Sequence, residues 1–263
     1  MLNFKNERKG LDFFVTIFLI ALTVLYAVFM HEHWLGRSLF VVVFLAATTA
    51  LFLGVRRPKN WRKLLLGSLI FGCLFGFALS FFAESTGAWT TNNYIFNFRF
   101  FGVNTLEEIL GQGLMAFYTF LFYEHFLDDE RVRKLNKKYL WGIFIGVAGS
   151  LLLVVHFLTS GSPTLPFAYL WPAIAAIIPT FVMVVRHPRL LRKLALLSLF
   201  SLFLWFVMEC VAVTYNYWSY PGEYLGWIQL FTVRFPIEEL LFWMLLYSPT
   251  ITAYYEATID DGN

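Results

Sequence analysis

The chain has 263 residues, of which 59% are hydrophobic and only 14% carry a charged side chain, and its formal net charge is +3. Soluble domains average about 25% charged residues, so this composition excludes an ordinary soluble domain and indicates an integral membrane protein. The positive residues lie in short segments beside apolar runs, where they orient membrane helices. They do not form the basic face that nucleic acid requires, so no nucleic-acid partner is expected.

Taken in chain order, the apolar segments predict the helices. A helix that crosses a bilayer needs about 20 mainly apolar residues. Eight segments approach this length, at 11–30, 36–54, 64–83, 106–126, 139–158, 165–185, 194–213 and 237–256. The first follows basic residues, as a signal peptide would, but its long run ends in "VFMHEHW" without a small-residue cleavage pattern. We therefore expect it to be retained, in an all-α, polytopic membrane helix bundle of about eight transmembrane helices.

The segments between the apolar runs alternate in charge. Residues 55–63, 128–138 and 185–193 are rich in Lys and Arg, whereas the long connections 84–105 and 214–236 are poor in them. Basic loops stay on the cytoplasmic side of a membrane protein. The pattern predicts an integral, multi-pass protein with both termini in the cytoplasm and both long connections on the opposite side.

The sequence contains an internal repeat. "RRPKNWRKL" at 56–64 returns 130 residues later as "RHPRLLRKL" at 186–194. Further matches follow in the same order and at nearly the same spacing: Trp89 with Trp218, "LEE" (106–108) with "IEE" (237–239), and "FYE" (122–124) with "YYE" (254–256). The series predicts two domains of four helices each, 1–130 and 131–263. An even number of helices gives both repeats the same orientation, about an axis along the membrane normal.

Acidic residues recur near the start of the last helix of each half. Ionisable groups inside a membrane are costly and usually face the bundle interior. The candidates for catalysis are Glu238 and Glu239, then Glu107 and Glu108, with Glu84 and Glu209 as relay or base. A glutamate at a helix start can also simply complement the helix dipole. Because both halves carry an adjacent pair, we expect one carboxyl of each pair to cap and the other to face a shared central cleft.

Crowded carboxyls in such a cleft resist ionisation, so one is expected to hold a proton while another accepts one. Arg99 and Arg234 shortly precede the pairs as possible partners, although a role as interfacial anchors is equally open. Trp89, Trp218 and Tyr215 are expected to line the pocket, because aromatic faces stabilise cations. An apolar cleft with an acid, a base and aromatic walls suits a carbocation reaction on a lipid-soluble polyene.

Other chemistries lack their motifs. The sequence has no Gly-rich dinucleotide fingerprint, and the acidic "LDDERVR" lies in a basic loop, so neither a redox cofactor nor a magnesium–diphosphate site is implied. "HEH" at 31–33 is a weak metal signal in an interfacial loop. We expect no cofactor and no metal.

These motifs resemble the flavin-independent, heterodimer-type lycopene cyclases of carotenoid biosynthesis, in a fused two-domain form. Members of that family carry a Pro-x-Glu-Glu helix start in each of two related membrane domains. "PIEE" (236–239) fits it directly, whereas "TLEE" (105–108) has Thr105 in place of Pro; the acidic residue and Trp in "ESTGAW" and "ECVAVTYNYW" also match. The resemblance implies a non-redox, acid–base isomerisation that closes linear ψ-ends of lycopene into β-ionone rings.

The sequence leaves several alternatives open. Water could capture the same cation, which would make the protein a carotenoid hydratase, or the glutamates could form a proton relay in a transporter or scaffold. The expected partners are a lipophilic polyene, membrane lipids and other carotenoid-pathway enzymes. The ring type, the number of substrate ends that react, the assignment of acid and base, the competence of the "TLEE" half and the oligomeric state are not determined by these motifs.

Overall fold

The computed structural model describes residues 7–56, 61–128, 138–161 and 165–259. Within these ranges the chain forms eight helical rods: α1 (Glu7–Met30), α2 (Ser38–Arg56), α3 (Trp61–Ser85), α4 (Leu106–Phe122 with a π-helical continuation Tyr123–Leu127), α5 (Tyr139–Ser160), α6 (Leu170–Arg186), α7 (Pro188–Thr214) and α8 (π-helical Glu239–Tyr247 continued by Ser248–Thr258). A short 3-10 helix, Trp34–Gly36, joins α1 to α2. The described residues leave out much of the first and second of the three predicted basic segments, namely 57–60 and 129–137. They therefore also leave out Pro58 of the repeated motif and the predicted domain boundary.

Five helices are long and apolar enough to cross a membrane, namely α1, α2, α3, α5 and α7. The α6 helix is also apolar but shorter, and α4 and α8 begin with the predicted glutamates. A predominantly helical chain with several membrane-length helices confirms the predicted class of fold.

Close packing of α3 against α4 depends on glycine. A Cβ atom added to Gly72 would lie 2.6 Å from the Cα atom of Gly113 and 2.7 Å from the carbonyl oxygen of Gln112. Small residues allow membrane helices to approach each other at backbone distance. An aromatic contact links the two predicted halves: the ring of Phe122 in α4 stacks on that of Phe200 in α7, with ring centroids 3.7 Å apart. Both helices therefore lie at the centre of the bundle.

The two long connections contain short strands that an all-helical prediction does not include. They are β1 (Thr90–Thr91), β2 (Arg99–Phe100), β3 (Asn104–Thr105), β4 (Trp218–Ser219), β5 (Trp227–Leu230) and β6 (Val233–Pro236). Strands β2 and β3 form one antiparallel hairpin, β5 and β6 form another, and β1 pairs with β4. Thr and aromatic residues favour strand geometry. Pairing β1 with β4 joins the connection of the first half to that of the second.

Equivalent positions of the two predicted halves touch one another at both ends of the bundle. At the end that carries the long connections, the hydroxyls of Thr90 and Ser219 lie 2.9 Å apart. At the other end, the Tyr255 hydroxyl donates to Glu124 Oε1 at 2.7 Å, and the Tyr123 side chain lies close enough to Glu256 to interact with it electrostatically. Reciprocal contacts of this kind are expected if an axis relates the two predicted halves. We call this second group, Glu124, Tyr123, Tyr255 and Glu256, the inner clasp.

Candidate active site

The first glutamate of each pair holds the preceding connection in place. Glu107 Oε1 accepts a hydrogen bond from the Phe96 N–H at 2.6 Å, and another from Ile95 N–H. Glu238 Oε1 accepts in the same way from the Leu225 N–H at 2.6 Å. In each residue the other carboxyl oxygen is buried without a hydrogen-bond partner. The same contact in both halves fixes the geometry of the helix starts.

In the first half, the second glutamate belongs to a network that includes a cation. Thr105 and Glu108 form a reciprocal capping box: Thr105 Oγ1 accepts from the Glu108 N–H at 3.2 Å, and Glu108 Oε2 accepts from the Thr105 N–H at 2.8 Å. Glu108 is also close enough to Glu84 for the two carboxyls to interact electrostatically. Arg99 Nη1 lies 2.9 Å from Glu84 Oε2 and balances one negative charge of this pair.

Thr91 joins the two carboxyls of that network. Its backbone N–H donates to Glu84 Oε1 at 2.8 Å, while its hydroxyl donates to Glu108 Oε1 at 2.7 Å. One residue of β1 therefore positions an acid from the end of α3 beside an acid from the start of α4.

In the second half, the equivalent carboxyls are held by neutral donors. Tyr220 donates its hydroxyl to Glu209 Oε1 at 2.7 Å, and the Trp218 indole N–H donates to Glu209 Oε2 at 3.2 Å. Glu239 lies close enough to Glu209, Tyr169 and Tyr220 to interact with them electrostatically, and its Oε2 atom is buried without a hydrogen-bond partner. Among the described residues, no Lys or Arg forms an ion pair with Glu209 or Glu239.

The donor to Glu209 is itself insensitive to ordinary changes in pH. Burial raises the pKa of the Tyr220 hydroxyl well above its usual range, and the adjacent Glu209 and Glu239 carboxyls raise it further. Tyr220 therefore keeps its proton and remains a hydrogen-bond donor at neutral and mildly alkaline pH.

Acids from the two halves meet at one small cavity of about 100 Å³, which we call the acid chamber. Four glutamates line it: Glu107, Glu108, Glu209 and Glu239. Its aromatic walls are Trp89, Trp205, Trp218, Tyr220 and Trp243. The chamber thus combines carboxyls, which can donate and accept protons, with aromatic faces that can stabilise a cation.

The structure does not place every predicted site residue on this chamber. Glu84 and Glu238 do not line it. Glu84 contacts Arg99, and Glu238 accepts a hydrogen bond from the Leu225 N–H. Arg99 does not line it either, and it lies against Glu84. Two further predicted site residues do not line the chamber. Arg234 is exposed and stacks on Trp227 at 4.4 Å, since it alternates outward on β6, and in the part of the chain that the structure describes it forms no ion pair with an acidic residue.

Tyr215 is the second of these. Its ring stacks on His31 with centroids 4.4 Å apart, because it follows the end of α7 and turns toward the α1–α2 connection. His31 belongs to the "HEH" segment. Among the described residues, no group of three or more His, Cys, Asp or Glu side chains is arranged to hold a metal ion.

A larger apolar cavity of about 540 Å³ adjoins the acid chamber. Trp89, Gln112 and Trp243 line both cavities and form the neck between them. Gln112 is fixed there because its Oε1 atom accepts a 3.0 Å hydrogen bond from the Tyr247 hydroxyl. Trp89 and Trp243 meet edge to face at 6.5 Å. This arrangement lets a long apolar molecule occupy the larger cavity with one end in the acid chamber.

Sequence reasoning missed several residues around the neck. Trp205 and Trp243 lie inside apolar runs, where a tryptophan is indistinguishable from a core residue. Gln112 offered a usable signal, because an amide between two glycines in the membrane-type segment "LGQGL" is costly unless it has a partner.

No family model, curated protein or solved structure matches this chain.

Proposed function

We propose that this protein is a membrane-embedded acid–base isomerase that acts on a lipid-soluble polyene. The observation that carries the proposal is the acid chamber itself, in which buried glutamates of both halves and four tryptophans adjoin a large apolar cavity. Within this class, we propose a lycopene β-cyclase, the activity that the "PIEE" and "TLEE" motifs suggest. The reaction needs no cofactor and no metal.

The asymmetry of the two carboxyl pairs supports an assignment of acid and base. Charging an unpaired carboxyl in an apolar interior is strongly unfavourable, and among the described residues no Lys or Arg forms an ion pair with Glu209 or Glu239. This pair is therefore the proton donor, with Glu239 as the acid. Arg99 balances one charge on the Glu84–Glu108 pair, so that pair is the proton acceptor, with Glu108 as the base lining the chamber.

The proposed reaction conserves every atom of the substrate. Glu239 transfers its proton to the terminal double bond of the linear end group and leaves a tertiary carbocation. The internal double bond attacks this carbon and closes a six-membered ring, which moves the positive charge onto the ring. Glu108 then removes an adjacent ring proton to restore a double bond. The tryptophan walls stabilise both cations through their ring faces.

The membrane arrangement belongs to the same proposal. We propose eight crossings in two parallel repeats of four helices, both termini in the cytoplasm, and both long connections on the opposite side. The contacts between equivalent positions, Thr90 with Ser219 and the inner clasp, support an axis along the membrane normal. Membrane lipids surround such a bundle, and other carotenoid-pathway enzymes are expected to supply its substrate.

The test is expression in cells that accumulate lycopene. A cyclic product of unchanged mass, lost in Glu239→Gln, supports the cyclase. A product heavier by one water identifies a hydratase, in which water captures the cation. Unchanged pigment with both wild-type protein and Glu239→Gln, at equal protein levels, would refute an activity on lycopene and favour a transporter or scaffold.

A further inference from the structure

The larger cavity lies between two helices that are adjacent in sequence but separate in space. Helix α5 packs mainly on α3, whereas α6 packs on α7 and α8. Over their described residues, α5 and α6 make at most marginal contact with each other. A gap therefore separates them.

The lining residues run from this gap into the core. On the α5 side they are Trp141, Gly142 and Ile145, and on the α6 side Pro172, Ala173, Ala176 and Pro179. Trp141 and Ile145 are 66% and 58% exposed, whereas Ile251 at the inner wall is 6% exposed. The cavity thus has a mouth between α5 and α6 and a closed interior. Because both helices are apolar, we expect this mouth to open toward the acyl chains of a bilayer.

The cavity is long and follows the helix axes. Its α3 wall extends from Phe71 to Ala83, twelve residues further on, which corresponds to about 18 Å of helix at 1.5 Å per residue. Small side chains on α6, such as Ala173 and Ala176, leave this wall smooth. The neck at Gln112 then leads to the acid chamber. A straight, stiff chain fits a slot of this shape better than a coiled or bulky molecule.

We infer that the gap between α5 and α6 is a lateral portal through which a linear polyene enters directly from the bilayer. The polyene lies along α3 and presents one end to the acid chamber. A chain that arrives through this portal never crosses water, which matches the poor solubility of a hydrocarbon substrate. The inference rests on the proposed function for the identity of the ligand, but the portal can be tested by binding alone.

The test narrows the slot and measures binding separately from turnover. Ala176→Phe, with Ala173→Phe as a second blocking variant, places an aromatic ring in the slot. The matched control is Ile178→Phe, which adds a ring on the same helix at a residue that is 57% exposed and does not line the cavity. Each variant is made in wild-type protein and in Glu239→Gln, and reconstituted in phosphatidylcholine vesicles that contain lycopene.

Both blocking variants are expected to reduce conversion about tenfold, and to reduce the lycopene that co-purifies with the Glu239→Gln protein by a similar factor. Ile178→Phe should change neither quantity. Retained binding and conversion in both blocking variants would overturn the portal. If the wild-type protein binds lycopene without cyclising it, and both blocking variants lose that binding, the portal is supported and the proposed function is refuted. Displacement of a co-purified phospholipid, with no lycopene bound, would overturn the ligand class.

Discussion

The two halves of this protein hold the same set of carboxyls in different electrostatic surroundings. In the first half, Arg99 lies against Glu84, and Thr91 bridges Glu84 to Glu108. In the second half, the donors to Glu209 among the described residues are the neutral side chains of Tyr220 and Trp218. The repeat thus preserves where the carboxyls lie and changes what balances them. One chamber therefore has a side suited to giving up a proton and a side suited to receiving one.

The largest effect should come from removing the proposed acid. Glu239→Gln preserves the size of the side chain but carries no acidic proton, so cyclisation should fall about 10²–10⁴-fold, the usual contribution of general acid catalysis. Product formation in lycopene-containing vesicles measures it. The control is Glu223→Gln, which changes an exposed glutamate in the connection that precedes α8. Full activity in Glu239→Gln would show that Glu239 is not the acid, and that the two halves do not divide the roles of acid and base in this way.

Removing the cation of the first half should destabilise the protein. Arg99→Met leaves the Glu84–Glu108 pair without its balancing charge, at an expected cost of about 2 kcal/mol in the free energy of unfolding, because Arg99 is only partly buried. Thermal unfolding in detergent measures this change. Arg234→Met is the matched control, since Arg234 is exposed and should change stability by less than about 0.5 kcal/mol.

A double variant sharpens that result. Glu84→Gln in the Arg99→Met background removes the uncompensated charge and should recover much of the lost stability. If the two substitutions were simply additive, the ion pair would not be what Arg99 contributes.

Removing a neutral donor of the second half should have a smaller effect. Tyr220→Phe deletes the hydroxyl that donates to Glu209, and a hydrogen bond of this kind contributes about 1 kcal/mol, so the rate should fall about fivefold. Since the pKa of Tyr220 lies well above its usual range, loss of the Tyr220 proton should not contribute to any decline of activity up to about pH 10, where an ordinary tyrosine loses its proton. Tyr215→Phe, outside the chamber, serves as the control. An alkaline loss that disappears in Tyr220→Phe would contradict this account.

The smallest effect concerns the helix start that differs between the halves. Thr105→Pro gives the first half the "P-x-E-E" pattern of the second, but it removes the Thr105 N–H and hydroxyl that pair with Glu108. The loss of the capping box should cost about 1 kcal/mol. Thr105→Ser retains both groups and should be nearly neutral. Equal melting temperatures for Thr105→Pro and the wild type would show that the box contributes nothing measurable.

Hydropathy located the helices well, because a membrane-length helix needs a long apolar run and little else. Each of the eight predicted segments overlaps a helix, and five of these helices are long and apolar enough to cross a membrane. The boundaries differ: α6 begins at Leu170 instead of residue 165, and α7 begins at Pro188 instead of residue 194. Its basic first turn lowers the local hydropathy without stopping the helix. The strands of the two connections were not predicted, because each is only two to four residues long, and because β1 pairs with β4, which lies far away in the sequence.

The composition of the site was only partly predictable. Duplication drew attention to Glu107, Glu108, Glu238 and Glu239, and simple helix geometry suggested that the members of each pair point apart. Sequence spacing could not reveal that Arg99 reaches Glu84 whereas Arg234 turns outward on Trp227. Both arginines shortly precede a glutamate pair in the sequence. Whether each side chain points inward or outward depends on which face of its strand it occupies, and the spacing does not show this.

The inner clasp has a consequence for how the two halves can diverge. In an assembly of two identical chains, any change at Tyr123 or Glu124 would occur twice, once on each side of the symmetry axis. In a single polypeptide, Tyr255 and Glu256 are encoded separately from their counterparts. A fused chain can therefore keep its halves locked together by matching contacts while each carboxyl cluster acquires its own chemistry, which two copies of one gene product cannot do.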